Sequence, residues 1–182
     1  MTPVDRLLQT LRFRQAARWI PDGSRVLEVG CAEGELFDHL GRRIAPSVGI
    51  DPLLDRPRDH GRHRLLPGCF PVDVPVDLDP FDVVAMLATL EHFPPSELAK
   101  TALETARLTK PGGRLVVTVP APVVDVILEA LLALRLIHGQ ETDQHHGQAP
   151  QETPFIFGDG FELVHASRFE LGLNHLFVLR RR

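Results

Sequence analysis

Cysteine is scarce in this chain of 182 residues, which has only Cys31 and Cys69. Two thiols cannot build a disulfide framework, so a packed core must carry the fold, and a reducing cytoplasm suits it. Surplus positive charge is also missing. Lys and Arg number 20 against 24 Asp and Glu, a formal charge of −4, which gives no general attraction to nucleic acid or to an anionic membrane. The basic residues gather at Arg12, Arg14 and Arg18 and at Arg180, Arg181 and Arg182; both groups read as solvated surface. Long apolar runs are lacking as well, since the richest, from Val123 to Leu136, is broken by Asp125, Glu129 and Arg135. Met1 to Asp5 offer neither a cationic start nor an apolar signal core, so a soluble protein with no membrane partner is expected. No internal repeat is visible.

What is present is enough for one core: 43% of the residues are hydrophobic, and residues 1–182 read as a single domain. Leu7, Leu8, Leu11, Ala16, Trp19 and Ile20 recur at helical intervals before Pro21-Asp22-Gly23, which predicts a leading amphipathic helix within residues 1–20. Strand 25–29, helix 33–43 and strand 46–50 follow. From Asp51 to Arg64 the chain has Pro52, Pro57, Gly61 and many charges, so the helix expected in this crossover reads as shortened or lost. A strand at 64–67, a proline-rich irregular stretch from Val72 to Pro80, strand 81–87, helix 95–108 and strand 113–119 come next, with Lys110-Pro111-Gly112-Gly113 as a type II turn. An apolar helix at 123–137 and a polar linker or lid at 138–156 precede Phe161–Phe169 and Leu173–Leu179, a hairpin around Glu170-Leu171-Gly172.

The segment Val26-Leu27-Glu28-Val29-Gly30-Cys31-Ala32-Glu33-Gly34 is a buried strand breaking into a glycine loop. Glycine lets backbone approach a bound molecule without a Cβ in the way, and the loop opens a helix. Its spacing, Glu-x-Gly-x-x-x-Gly, is not the dinucleotide fingerprint GxGxxG. Further on, Val48-Gly49-Ile50-Asp51 ends a second strand in an acid that can accept both hydroxyls of a ribose. Phe81 to Pro94 and Leu108 to Pro120 then supply two more strands with their turns. Together, over about residues 20–120, these stretches resemble the class I S-adenosylmethionine-dependent methyltransferases of the small-molecule type.

The resemblance implies an α/β fold, a Rossmann-like doubly wound sheet that is mostly parallel with a C-terminal antiparallel hairpin strand. It implies S-adenosylmethionine as cofactor and S-adenosylhomocysteine (SAH) as product. The backbone of Gly30, Cys31, Ala32 and Gly34 would hold the methionine moiety, Glu28 its amino group and Asp51 the ribose, with Pro52, Cys69, Phe70 and Leu87 completing the site. Glu28 could instead partner a backbone amide, and Asp51 could cap a turn. Where relatives commonly have Gly-Asp-x to accept from the adenine amino group, this chain has Gly68-Cys69-Phe70. Asp73 could supply that acceptor, and Cys69 itself reads as a small buried hydrophobe. His92 and His146 are candidate catalytic bases and Glu91 and His145 candidate acceptor contacts; loop ordering competes for His92 and surface polarity for the linker pair. No recognisable metal site is completed. The implied activity is methyl transfer to oxygen or nitrogen of a small molecule. Absence of a basic groove and of an Asn-Pro-Pro-Tyr-like element, with Leu87-Ala88-Thr89-Leu90 in its place, argues against nucleic acid. A cofactor-binding subunit that does not itself catalyse transfer is the alternative.

Overall fold

The computed structural model describes residues 3–121 and 150–182. Its centre is one eight-stranded sheet. The strands are β1 (Val26–Val29), β2 (Val48–Asp51), β3 (Arg58–His60), β4 (His63–Pro67), β5 (Phe81–Leu87), β6 (Thr109–Pro120), β7 (Phe161–Phe169) and β8 (Asn174–Arg181). Their spatial order is β3-β4-β2-β1-β5-β6-β8-β7. The pairs β1–β2, β1–β5, β2–β4 and β5–β6 are parallel, whereas β8 runs antiparallel to β6 and β7 to β8. Strand order therefore reverses between β1 and β5, and at such a switch point the crossovers leave on opposite faces and open a crevice at the strands' carboxyl ends.

The parallel strands are apolar on both faces because helices cover both. On one face, Phe13 and Ala16 from α1 (Pro3–Ala17), Ile20 just after it, and Leu36, Phe37 and Leu40 from α2 (Glu35–Leu40) pack with Val26, Val83 and Val116. On the other, Leu108 of α3 (Leu98–Leu108) joins Leu27, Val29, Val84, Leu115 and Val117. Where the pairing of β6 with β5 jumps from Thr109 to Arg114, Gly112 takes φ +75°, the left-handed conformation expected at the Pro-Gly-Gly segment.

Three differences from the sequence reading have physical causes. The face of α1 is centred on Phe13, Ala16 and Ala17, and Leu7 is exposed, because the helix meets the sheet only with its second half. The crossover after β2 contains no helix, as the sequence reading had it, and the difference lies in what replaces it. Its charged and proline-bearing residues instead form the β3–β4 antiparallel hairpin, an edge the sequence did not announce. The polar segment that reads as linker through residue 156 turns helical at Thr153–Ile156, where Thr153 is buried and Ile156 joins the α3 side of the core. The expected helix at 123–137 lies outside the described residues. At the C-terminus the hairpin forms as expected, with Glu170, Leu171 and Gly172 all at positive φ.

Candidate active site

A cleft of about 530 Å³ opens at the carboxyl ends of the central strands, lined by residues that include Gly30, Asp51, Pro52, Cys69, Phe70 and His92. Asp51, the last residue of β2, is buried and its carboxylate braces two loops. Oδ2 accepts the Ala32 N–H at 2.8 Å and Oδ1 accepts the Leu53 N–H at 2.8 Å. Cap and cleft residue are thus compatible roles for Asp51, since a carboxylate has about four acceptor sites. Ala32 (φ +44°) and Ala88 (φ +54°), the latter on the cleft wall, both stand in the left-handed region without being glycine. Strain of this kind persists only where neighbours impose it, and it gathers at ligand loops. Composition gives no hint of it.

The two loop glycines are required by the protein's own side chains. A Cβ on Gly30 would lie 2.5 Å from Thr89 Oγ1, whose hydroxyl donates to the Val29 carbonyl at 3.1 Å. A Cβ on Gly34 would lie 3.0 Å from the His60 ring. This requirement stands beside the expectation that glycine here lets backbone approach a ligand. Gly30 still lines the cleft; Gly34 does not.

Glu28 is buried in β1, opposite Gly49 of β2 and Ala85 of β5. Burial, reinforced by the carboxylates of Glu35 and Asp51, pushes its pKa well above the usual carboxylate range. Its Oε2 has no hydrogen-bond partner among the described residues. A buried acceptor without a donor signals a missing partner, and an ammonium group is such a donor. Cys31 turns away: its Sγ would lie 2.6 Å from a Cβ on Gly49, and burial drives its thiol pKa strongly up. Neither Cys31 nor Ala32 nor Leu87 lines the cleft.

At the other end of the cleft the reading of Cys69 is corrected. Its thiol is exposed rather than buried, because Asp73 Oδ2 takes the Cys69 N–H at 2.8 Å and holds the loop at the cleft rim. Asp73 itself does not line the cleft. Phe70 is buried and meets Phe93 edge-on at 6.4 Å between centroids. His92 lines the cleft after β5, and the neighbouring Glu91 is buried behind it. Arg12 also departs from its reading as solvated surface. It is half-buried and its guanidinium faces Glu91 and Glu170, residues whose proximity the sequence could not reveal. His145 and His146 lie outside the described residues.

The residues present fit the cofactor the motifs implied. An acid stands at the end of β2, an unpaired buried carboxyl in β1, and apolar walls at Phe70 and Phe93. Among the described residues no helix is long and apolar enough to cross a membrane.

Comparison with known proteins agrees. The chain is 34% identical over 120 residues to a ubiquinone biosynthesis O-methyltransferase of Xylella fastidiosa, covering 61% of this chain and 48% of that protein. A protein of the same name from Idiomarina loihiensis is 33% identical over 102 residues, 51% of this chain and 41% of its own. The chain thus spans about half the length of these curated relatives. Among solved structures, magnesium protoporphyrin IX methyltransferase from Synechocystis PCC 6803 with bound SAH superposes with a TM-score of 0.71 at 16% identity, covering 100% of this chain and 89% of that one. A methyltransferase from Haloferax volcanii, solved in complex with the Trm112 activator, gives 0.73 at 17% identity over 95% and 90% of the two chains. These likenesses establish the shared fold. The sequence model of the Methyltransferase domain matches residues 4–156, and the chain belongs to that family, the S-adenosylmethionine-dependent methyltransferases of class I.

Proposed function

We propose that this protein transfers a methyl group from S-adenosylmethionine to a hydroxyl or amine of a small molecule, and the similarity to O-methyltransferases favours oxygen. The observation that carries the reading is the cleft at the switch point, with Asp51 on one side and His92 on the other. The cofactor brings both the methyl group and its leaving group, so the protein's task is to position, desolvate and deprotonate. Asp51 would take the ribose hydroxyls and the unpaired Glu28 oxygen the amino group, directly or through water. Phe93 and Pro94, next to His92, would keep water from the reacting end. His92 would accept the acceptor's proton, since an imidazole titrates near working pH. Two free cysteines suit a reducing compartment such as the cytoplasm.

The test is a methyl-transfer screen with labelled S-adenosylmethionine against phenols and amines, run beside SAH calorimetry. His92→Ala should lower turnover at least tenfold and leave SAH affinity within about 1 kcal/mol, a separation that mutant kinetics resolve. Tight SAH binding with no transfer to any acceptor would favour a non-catalytic, cofactor-binding subunit. A fall in SAH affinity as large as the fall in turnover would remove His92 from the acceptor side.

A further inference from the structure

Beyond the cleft wall, three elements bring together a polar cluster that the cofactor does not use. Ala88, on the wall, donates its N–H to the Thr118 carbonyl and hydroxyl, each at 3.0 Å. Two residues further along β6, Pro120 pairs with Asn174, the first residue of β8. Asn174 is 5% exposed, and its Nδ2 donates to Glu170 Oε2. The guanidinium of Arg12, from α1, faces Glu170 and Glu91. Asn174 Oδ1, Glu170 Oε1 and Arg12 Nε are all buried and all lack a hydrogen-bond partner among the described residues. Each such atom is costly if it stays unpaired, and three within one cluster near a substrate cleft point to a ligand. Glu170 and Leu171 also hold left-handed φ of +53° and +57°, which turns the carboxyl of Glu170 toward Asn174.

We propose that Arg12, Glu170 and Asn174 form the acceptor-recognition subsite, and that the acceptor presents an uncharged hydroxyl or amide there rather than a carboxylate or phosphate. The proposal rests on the cofactor reading of the adjoining cleft. The unpaired atoms are one donor, Arg12 Nε–H, and oxygens of Asn174 and Glu170, which a group that both donates and accepts can satisfy together. Charge decides against an anion. Among the described residues the cation of this cluster is Arg12, whose charge already acts on the carboxyls of Glu91 and Glu170. Whether or not Glu170 carries a proton, the cluster has no surplus positive charge to offset the desolvation of an anionic ligand.

The test uses a matched pair of probes, 3-hydroxybenzamide and 3-hydroxybenzoate, titrated into SAH-saturated protein and followed by ligand-observed NMR. The amide should bind at least threefold more tightly than the carboxylate. Arg12→Gln should weaken the amide at least threefold, and the isosteric Glu170→Gln should narrow the preference at least threefold, with SAH affinity held within twofold in both. Equal binding, tighter binding of the carboxylate, or no saturable binding of either probe to the SAH complex overturns the subsite. A wild-type protein that binds no SAH overturns the cofactor reading beneath it instead, so the two failures are separate.

Discussion

Replacing Asp51 by Ala removes two things at once, and the structure allows them to be measured apart. The carboxylate receives the Ala32 and Leu53 N–H groups at 2.8 Å each. Hydrogen bonds to a charged group contribute about 1.5–3 kcal/mol apiece. With Ala in place both donors lose their acceptor, and Ala32, at φ +44°, loses the contact that holds it there. Urea denaturation without ligand should therefore show a loss of about 3–5 kcal/mol, somewhat below the upper sum because water reaches Leu53 at the cleft mouth. Bound SAH would add two ribose hydroxyls on the same oxygens, so its affinity, by calorimetry at a temperature where the variant is folded, should fall at least tenfold. Asp51→Asn keeps one acceptor oxygen and should recover about half of the stability loss. SAH affinity within twofold of wild type in a folded Asp51→Ala protein would refute the ribose placement. Unchanged stability without ligand would refute the brace.

Three other substitutions probe the same site. Gly30→Ala, at φ +77° and 2.5 Å from Thr89 Oγ1, should cost about 2–4 kcal/mol from backbone strain and displacement of Thr89; adding Thr89→Ala should recover about 1 kcal/mol in urea titrations, and strict additivity of the two would contradict the contact. The carboxyl of Glu28 has a pKa raised above its ordinary 4.5 by burial, so the folded state holds a proton that the unfolded state releases, and stability falls as pH rises above about 4.5 toward the raised pKa. Glu28→Gln should flatten that decline and raise ligand-free stability at pH 7 while weakening SAH at least fivefold, and a variant with the wild-type pH profile would show that Glu28 ionises freely. Cys69→Asp, at the exposed rim, should tighten SAH at least threefold if an acceptor for the adenine amino group is lacking; unchanged calorimetry would mean that the amino group is already satisfied.

The parallel half of the fold was legible because burial on both faces writes itself as apolar runs, and β5 lies at 81–87 where the run Phe81 to Leu87 stands. Asp51 was legible for a related reason, an acid at the end of a short apolar strand. Arg12 was not. Helical spacing places it beside Arg14 and Arg18, and only the folded chain buries it within electrostatic reach of Glu91 and Glu170, residues far away in sequence. The exposure of Cys69 was equally hidden, since it depends on Asp73 capturing its backbone N–H.

The β3–β4 hairpin carries the same lesson further. Loss of a crossover helix reads in sequence as a defect, a run of charges and prolines with nothing to bury. In the folded chain those charges have partners on the glycine loop and α2. Arg58 pairs with the Glu33 carboxylate, and His60 Nε2 meets Asp38 Oδ1 at 2.8 Å. The ring of His60 also fills the space that Gly34 leaves open. A hairpin with few apolar residues can do this because its task is to fix one loop rather than to cover the sheet. The pairs are largely exposed, so each adds at most about 1 kcal/mol. Their effect is geometric: together with Asp51, they hold from one side the loop whose other side Thr89 closes.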